Sequence, residues 1–133
     1  MNERERRLDH LRALPRRGNV FNELCPSREI LGHVTGRWGG LILARLREGT
    51  KRFSELRREI GGVTEKMLAE TLRNLERDGL VTRKAHAVIP PHVDYSLTTM
   101  GAECADRVAA LQAWIEEHVK KVARCQIDYD VPA

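Results

Sequence analysis

Apolar residues recur at helical spacing in the middle of the chain, where two short amphipathic helices are predicted on either side of a glycine pair. The first helix is predicted over Phe53 to Ile60, and Gly61-Gly62 forms the turn. Thr64 is predicted to begin the second helix, because a threonine hydroxyl accepts an N–H group left unpaired at a helix start. Asp78-Gly79 ends this helix. Its predicted apolar face consists of Met67, Leu68, Leu72 and Leu75.

A two-stranded ribbon is predicted directly after these helices. The stretches Leu80 to Ala87 and Val93 to Leu97 are the strands, and Pro90-Pro91 lies in the loop, since proline cannot donate to a sheet ladder. Helix, turn, helix and ribbon in this order predict a winged helix-turn-helix, a shape that places one helix in a DNA major groove.

Helices are also predicted on both sides of this segment. Pro26 begins one, because proline is favoured at the first helical position. The next, from about Trp38 to Arg47, is strongly apolar and is predicted to be the buried central helix. Thr98 opens a last helix that is predicted to run to about Arg124. The fold class is therefore mainly α with a small β-ribbon.

The last helix carries a single apolar seam. A long helix of this kind must bury its seam against something, and a chain of 133 residues has little core to spare. A second copy of the chain is therefore the expected cover, which predicts a homodimer. The seam consists of Cys104, Val108, Leu111, Ile115, Val119 and Val122.

Length and charge set the domain organisation. The length fits one domain, predicted over 25–124, with an arginine-rich, flexible and solvated arm at 1–24 and a tail at 125–133. The arm is alternatively a basic segment that touches DNA or a partner subunit. Net charge is +4, and residues 1–97 hold 19 Lys and Arg against 13 Asp and Glu. The basic part therefore coincides with the predicted DNA-binding module.

Several classes of protein are excluded by what the sequence lacks. It has no apolar run of about 18 residues, which predicts no membrane span, and its charged start does not resemble a secretory signal. It has no Gly-rich phosphate loop, G-x-S-x-G or HExxH, so neither catalysis nor a cofactor is expected. Its three cysteines match no zinc spacing. A cytoplasmic, nucleoid-associated protein of a bacterium is predicted.

The helix that begins at Thr64 is the predicted recognition helix. Its N-terminus suits a phosphate, and Lys66, Ala69 and Glu70 face outward where base edges would lie. Arg73 and Arg77, further along, are predicted to touch phosphates. The alternative is an ordinary solvated helix face. The rest of the predicted DNA-binding set is Arg52 and Ser54 before the turn and Lys84, His86 and His92 on the ribbon.

The ribbon and the cysteines leave alternatives open. The ribbon is either a wing on the flanking DNA or a solvated hairpin, and His86 and His92 without a nearby carboxylate predict no metal. Cys25 precedes a helix start, which lowers the pKa of a thiol, and Arg28 adds to this effect; the alternative is an inert cap residue. Cys104 is predicted to be core, and Cys125 has no evident role.

The chain resembles the HxlR-type transcriptional regulators, within the MarR-like superfamily, over about Cys25 to Trp114. The resemblance implies a dimeric winged helix-turn-helix DNA-binding protein whose first and last helices form the dimer interface. It also makes Cys25 a candidate redox-sensing or electrophile-sensing thiol. The residues that carry it are Cys25-Pro26, Gly36-Arg37-Trp38, Arg52-Phe53-Ser54-Glu55-Leu56, Met67-Leu68, Leu72-Arg73-Asn74-Leu75, Asp78-Gly79-Leu80-Val81 and Pro90-Pro91-His92-Val93-Asp94-Tyr95-Ser96-Leu97-Thr98.

These observations predict a sequence-specific regulator, by default a repressor, that binds a palindromic operator in double-stranded DNA as a homodimer. Two other hypotheses remain: a regulator controlled by a small ligand with no redox role, and a winged helix that grips a partner protein. The chain departs from the family pattern at Gly39-Gly40, where bulkier residues are common. This departure predicts a looser helix or a small cavity beside Trp38.

Overall fold

The computed structural model describes residues 1–133, the whole chain, as six helices and three short strands. Residues 1–32 and 33–133 form two compact units. The mainly helical fold with a small antiparallel sheet confirms the predicted fold class. In chain order the elements are α1 (Glu3–Ala13), α2 (Pro26–Thr35), α3 (Gly39–Leu46), β1 (Lys51–Arg52), α4 (Phe53–Glu59), α5 (Glu65–Arg77), β2 (Val81–His86), β3 (His92–Leu97) and α6 (Thr99–Asp130).

The N-terminal arm predicted over 1–24 contains the helix α1. Asn2 caps α1: its Oδ1 accepts the Glu5 N–H at 2.8 Å, and Glu5 Oε2 accepts the Asn2 N–H at 3.0 Å. These two bonds satisfy donors that a helix start leaves unpaired. No residue of α1 is buried.

The core of the second unit is built almost entirely from aliphatic side chains. Its centre is α3, which was predicted to be the buried helix, and α4, α5 and the start of α6 pack around it. Phe53, Leu97 and Val108 pack against the edge of this core. The largest fully buried side chains are Ile42, Leu43, Leu56, Leu68, Leu72 and Leu75.

The glycine pair at the start of α3 packs closely and does not loosen the helix. Both glycines are buried, and a Cβ at Gly39 would overlap the carbonyl oxygen of His33. A Cβ at Gly40 would lie 3.1 Å from the Val34 carbonyl oxygen and 3.2 Å from Val108 Cγ1. The absence of side chains therefore lets backbone approach backbone. A cavity of about 170 Å³ does border Gly40, but Trp38 is not among its lining residues.

The end of α5 is fixed by backbone bonds. Gly79 adopts φ +78°, a conformation that glycine tolerates without strain. The Leu80 N–H then donates to the Leu75 carbonyl and the Gly79 N–H to the Glu76 carbonyl, each at 3.0 Å. This is the Schellman arrangement, and it confirms that Asp78-Gly79 ends the helix. Thr98 Oγ1 donates to the Gly79 carbonyl at 2.6 Å, which ties the start of α6 to this turn.

The sheet has three strands in the order β1-β3-β2, all antiparallel. The predicted ribbon is confirmed as β2 and β3, with Pro90-Pro91 in its loop. Strand β1 was not predicted, because two residues are too few to show an alternating pattern. Lys51 holds it in place, with Nζ 2.9 Å from Glu59 Oε1 and 3.3 Å from Glu48 Oε2.

The last helix is longer than predicted. It runs to Asp130 rather than Arg124, so most of the predicted tail is helical. Thr98 caps it as expected, accepting the Gly101 N–H at 3.0 Å. Its 32 residues span about 48 Å at the rise of an α-helix. None of the six helices combines the length and apolar character that a membrane crossing requires.

Candidate nucleic-acid interface

The predicted recognition helix, α5, has a buried face and an exposed face. Leu68, Leu72 and Leu75 are buried and fix the helix on the core. On the other side four predicted contact residues are exposed, which leaves them available to a ligand as large as DNA. These exposed residues are Lys66, Glu70, Arg73 and Arg77.

Two residues of α5 lie differently from the prediction. Met67 was assigned to the apolar face, but its side chain is 42% exposed. Ala69 was assigned to the contact face and is half-buried. Met67 is thus the residue that sequence reasoning missed on the outer surface, because the three leucines alone complete the buried face.

The start of α5 is capped as predicted. Thr64 Oγ1 accepts the Met67 N–H at 3.1 Å. Arg57, at the end of α4, reaches across the turn and places Nη1 2.9 Å from Glu65 Oε1. This ion pair offsets the one carboxylate in the first turn of α5, so the helix N-terminus keeps its preference for anions.

Arg52 and Ser54 lie at the entrance to α4. The Arg52 N–H donates to Glu55 Oε1 at 2.9 Å, which orders the first turn, and the Arg52 side chain stays exposed. Ser54 is exposed as well. Ser54 lines a shallow surface depression together with Arg57, Arg58 and Glu65, so its side chain lies near the start of α5. Arg57 and Arg58, exposed in the last turn of α4, add positive charge there that the predicted set left out.

The ribbon of β2 and β3, which we call the wing, holds its predicted contact residues on one face. Lys84 and His86 are alternate residues of β2, and His92 lies opposite His86 on β3. The Lys84 side chain is exposed. The two histidine rings stack with centroids 4.6 Å apart. The expectation that no carboxylate lies nearby was wrong, because Asp94 Oδ2 is 2.7 Å from His86 Nε2. The spacing His92-x-Asp94 was the available signal, since alternate residues of a strand share a face.

Cys25 lies immediately before α2. The Ser27 hydroxyl donates to its Sγ at 3.1 Å, and this bond, with backbone N–H contributions from Asn19 and Ser27, lowers the pKa of the thiol below its usual value. The direction agrees with the prediction, but Ser27 is the main cause and Arg28 is not among the causes. The motif Cys-Pro-Ser at a helix start was the signal for it.

The other two cysteines differ from Cys25. Cys104 packs against the core, as predicted, and burial raises the pKa of its thiol. Cys125 is exposed on α6. All three thiols are free.

The apolar seam of α6 is only partly covered. Cys104 and Val108 pack on the core, but beyond them the seam is open. Four seam residues there are 44–56% exposed: Leu111, Ile115, Val119 and Val122.

A capped, outward-facing helix after a tight turn, followed by a basic antiparallel ribbon, is the arrangement of a winged helix-turn-helix DNA-binding fold. A family model described as HxlR-like helix-turn-helix matches residues 33–123, and the chain belongs to this family.

Relatives of the chain are described as regulators. The HTH-type transcriptional regulator YtfH of Escherichia coli (strain K12) is 61% identical over 105 residues, which are 79% of this chain and 83% of that protein. The solved structure of the transcriptional regulator ytfH from Salmonella typhimurium is 56% identical and has a TM-score of 0.80, covering 83% of this chain and 98% of that one. The solved structure of the redox regulator HypR in its oxidised form is 38% identical and has a TM-score of 0.64. The match covers 70% of this chain and 96% of that one.

Proposed function

We propose that the chain is a homodimeric, sequence-specific repressor that binds a palindromic operator on the bacterial nucleoid. The observation that carries this proposal is the division of α5 into a buried leucine face and an exposed face holding Lys66, Glu70 and Arg73. A helix held rigidly by its inner face presents these side chains in fixed positions, as base readout requires.

Each exposed residue of α5 suits a particular chemical group of the DNA. Lys66 can donate to guanine and Glu70 can accept from cytosine, while Arg73 and Arg77 reach phosphates. The wing residue Lys84 and the exposed arginines of α4 extend the positive surface on both sides. In a homodimer, two α5 helices about 34 Å apart would contact successive major grooves on one side of the duplex. A dimer on a promoter represses by blocking polymerase.

The test is fluorescence anisotropy with double-stranded DNA from immediately upstream of the chain's own gene, at several salt concentrations. We expect tight binding that weakens steeply with salt, since cations of the protein displace counterions. Lys66→Ala should weaken specific binding by about 1–3 kcal/mol and leave random DNA nearly unchanged. Lys120→Ala, which removes an exposed lysine of α6, is the matched control.

Two outcomes would contradict the proposed DNA-binding function or the proposed role of Lys66. Equal losses on operator and random DNA would reduce Lys66 to a phosphate contact. No binding, or binding indifferent to salt, would favour the alternative that the winged helix grips a partner protein.

We further propose that Cys25 senses thiol-reactive electrophiles. Support comes from the Ser27 hydrogen bond, which favours the reactive thiolate, and from the likeness to a redox regulator. The Cys25 Sγ would add to an activated carbon–carbon double bond, forming an S–C bond, while the displaced electron pair takes a proton from water. N-ethylmaleimide should change operator affinity in the wild type and in Cys125→Ser, but not in Cys25→Ser. A response that persists in Cys25→Ser contradicts the sensor role.

Control by a small ligand is the second candidate, and one feature favours it. An open cavity of about 560 Å³ lies between α3, the end of α4 and α6, a size typical of small-molecule sites. Apolar Leu41, Ile60 and Ile115 line it together with Arg45 and Glu59. Operator binding that is indifferent to thiol reagents would direct attention to this cavity.

A further inference from the structure

The outer end of the wing brings two imidazoles and a carboxylate together. His86, the last residue of β2, pairs with His92, the first residue of β3. Asp94 lies two positions further along β3, so its side chain emerges on the same face as that of His92. The ladder therefore places all three side chains at one point, close to the loop that closes the ribbon.

The ligand atoms of these residues converge. Asp94 Oδ2 lies 2.7 Å from His86 Nε2, and Asp94 Oδ1 lies 3.8 Å from His92 Nε2. One ligand atom from each residue falls within 4.8 Å of the others. In a tetrahedral site with metal–ligand bonds of about 2.0–2.1 Å, the ligand atoms are about 3.3 Å from one another. The distances in this cluster are close to that value, so small side-chain rotations bring the three atoms to coordination distance.

The environment of His86 Nε2 agrees with this arrangement. This nitrogen is buried and makes no hydrogen bond, although the Asp94 carboxylate is close. The nitrogen and the oxygen are therefore near each other without being aligned. A ring nitrogen that makes no hydrogen bond can offer its lone pair to a metal ion.

We propose that His86, His92 and Asp94 form a binding site for one divalent transition metal ion of the Zn²⁺ type. Two imidazole nitrogens with one carboxylate are a ligand set that suits zinc and its neighbours, whereas Mg²⁺ and Ca²⁺ prefer oxygen alone. Three protein ligands leave one position for water. By register, Lys84 on β2 and Arg52 on β1 lie opposite Asp94, so nearby positive charge keeps the affinity moderate.

The test uses the full chain stripped with EDTA, with its cysteines alkylated so that they cannot bind metal. Zn²⁺ is titrated against a chromophoric chelator. We expect one equivalent to bind, and His92→Gln and Asp94→Asn each to weaken binding by about tenfold or more. His118→Gln, which removes a histidine of α6, is the matched control and should bind like the wild type.

A measurement on the wild type avoids reliance on the variants. In ¹⁵N-labelled protein, Zn²⁺ should shift the ring nitrogen signals of His86 and His92 and leave that of His118 in place. The proposal is overturned if no stoichiometric binding occurs, if the two variants bind as tightly as the control, or if the shifts appear at other histidines.

Discussion

His33 Nδ1, near the end of α2, lies 2.5 Å from Asp78 Oδ2 at the C-cap of α5. The two side chains are only 16% and 7% exposed, so the contact lies mostly away from water. Hydrogen bonds between partly buried, ionisable groups are strong when both partners are present, and removing one leaves the other without compensation. This contact therefore ties α2 to the helix that is proposed to read DNA.

We expect His33→Ala to lower the free energy of unfolding by about 3 kcal/mol, because it leaves the buried Asp78 carboxylate without this partner. Urea unfolding followed by circular dichroism measures the change. His10→Ala, at an exposed position of α1, is the control and should change stability by less than about 0.5 kcal/mol. If the double variant His33→Ala, Asp78→Ala lost the sum of the two single effects, the proposed coupling would be absent.

Gly39 should tolerate a side chain far less well than Gly32, which lies seven residues earlier in the chain. In Gly39→Ala, the new methyl group meets the His33 carbonyl, so the backbone must move, and we expect a loss of about 3 kcal/mol. Gly32, inside α2, has nothing within 4 Å of an added Cβ. Gly32→Ala should therefore stabilise the protein by about 0.5–1 kcal/mol through helix propensity. Thermal unfolding of both variants gives the comparison, and similar signs for the two would contradict it.

The sequence predicted those parts of the fold that local patterns determine. Apolar spacing located α3 to α6, and cap residues such as Thr64 and Thr98 marked helix starts correctly. The two strands β2 and β3 were predicted on either side of the loop that holds Pro90-Pro91. The predicted end of α6 at Arg124 was too early. Residues 125–130 contain no glycine or proline that would end a helix, and α6 continues to Asp130.

What could not be predicted depends on contacts between distant segments. The His33–Asp78 contact joins residues 45 positions apart, and the role of Gly39 depends on how closely α2 and α3 approach. The two-residue strand β1 exists only because β3 offers it a partner. Asp94 could have been grouped with His92 from the strand period, but its meeting with His86 required the register of the ribbon.

The lowered pKa of Cys25 predicts a particular pH dependence. A lowered pKa means that the thiolate is populated at a lower pH than in an ordinary cysteine, whose pKa is about 8.5. The rate of alkylation by iodoacetamide, resolved by peptide mass spectrometry, should therefore rise with a midpoint below that of free cysteine. Cys104, whose thiol pKa is raised by burial, should react with a higher midpoint.

Ser27→Ala removes the main cause of this shift and should move the Cys25 midpoint upward, towards that of free cysteine. Arg28→Ala is the control, because Arg28 is not among the causes of the shift. A midpoint unchanged in Ser27→Ala, or moved equally by Arg28→Ala, would show that the hydroxyl does not stabilise the thiolate.

The open seam of α6 predicts how the chain assembles. Leu111, Ile115 and Val119 recur every four residues, and each is about half exposed. In a symmetric dimer each residue of the seam is used twice, so a charge placed there is buried in two copies. Val119→Glu should weaken self-association by about 3 kcal/mol, or roughly a hundredfold in Kd, as measured by sedimentation equilibrium. Lys121→Glu makes a charge change at an exposed site on the opposite side of the helix and should leave the dimer intact. A wild type that remains monomeric at micromolar concentration, or a Val119→Glu variant that dimerises as well as Lys121→Glu, would require another cover for the seam.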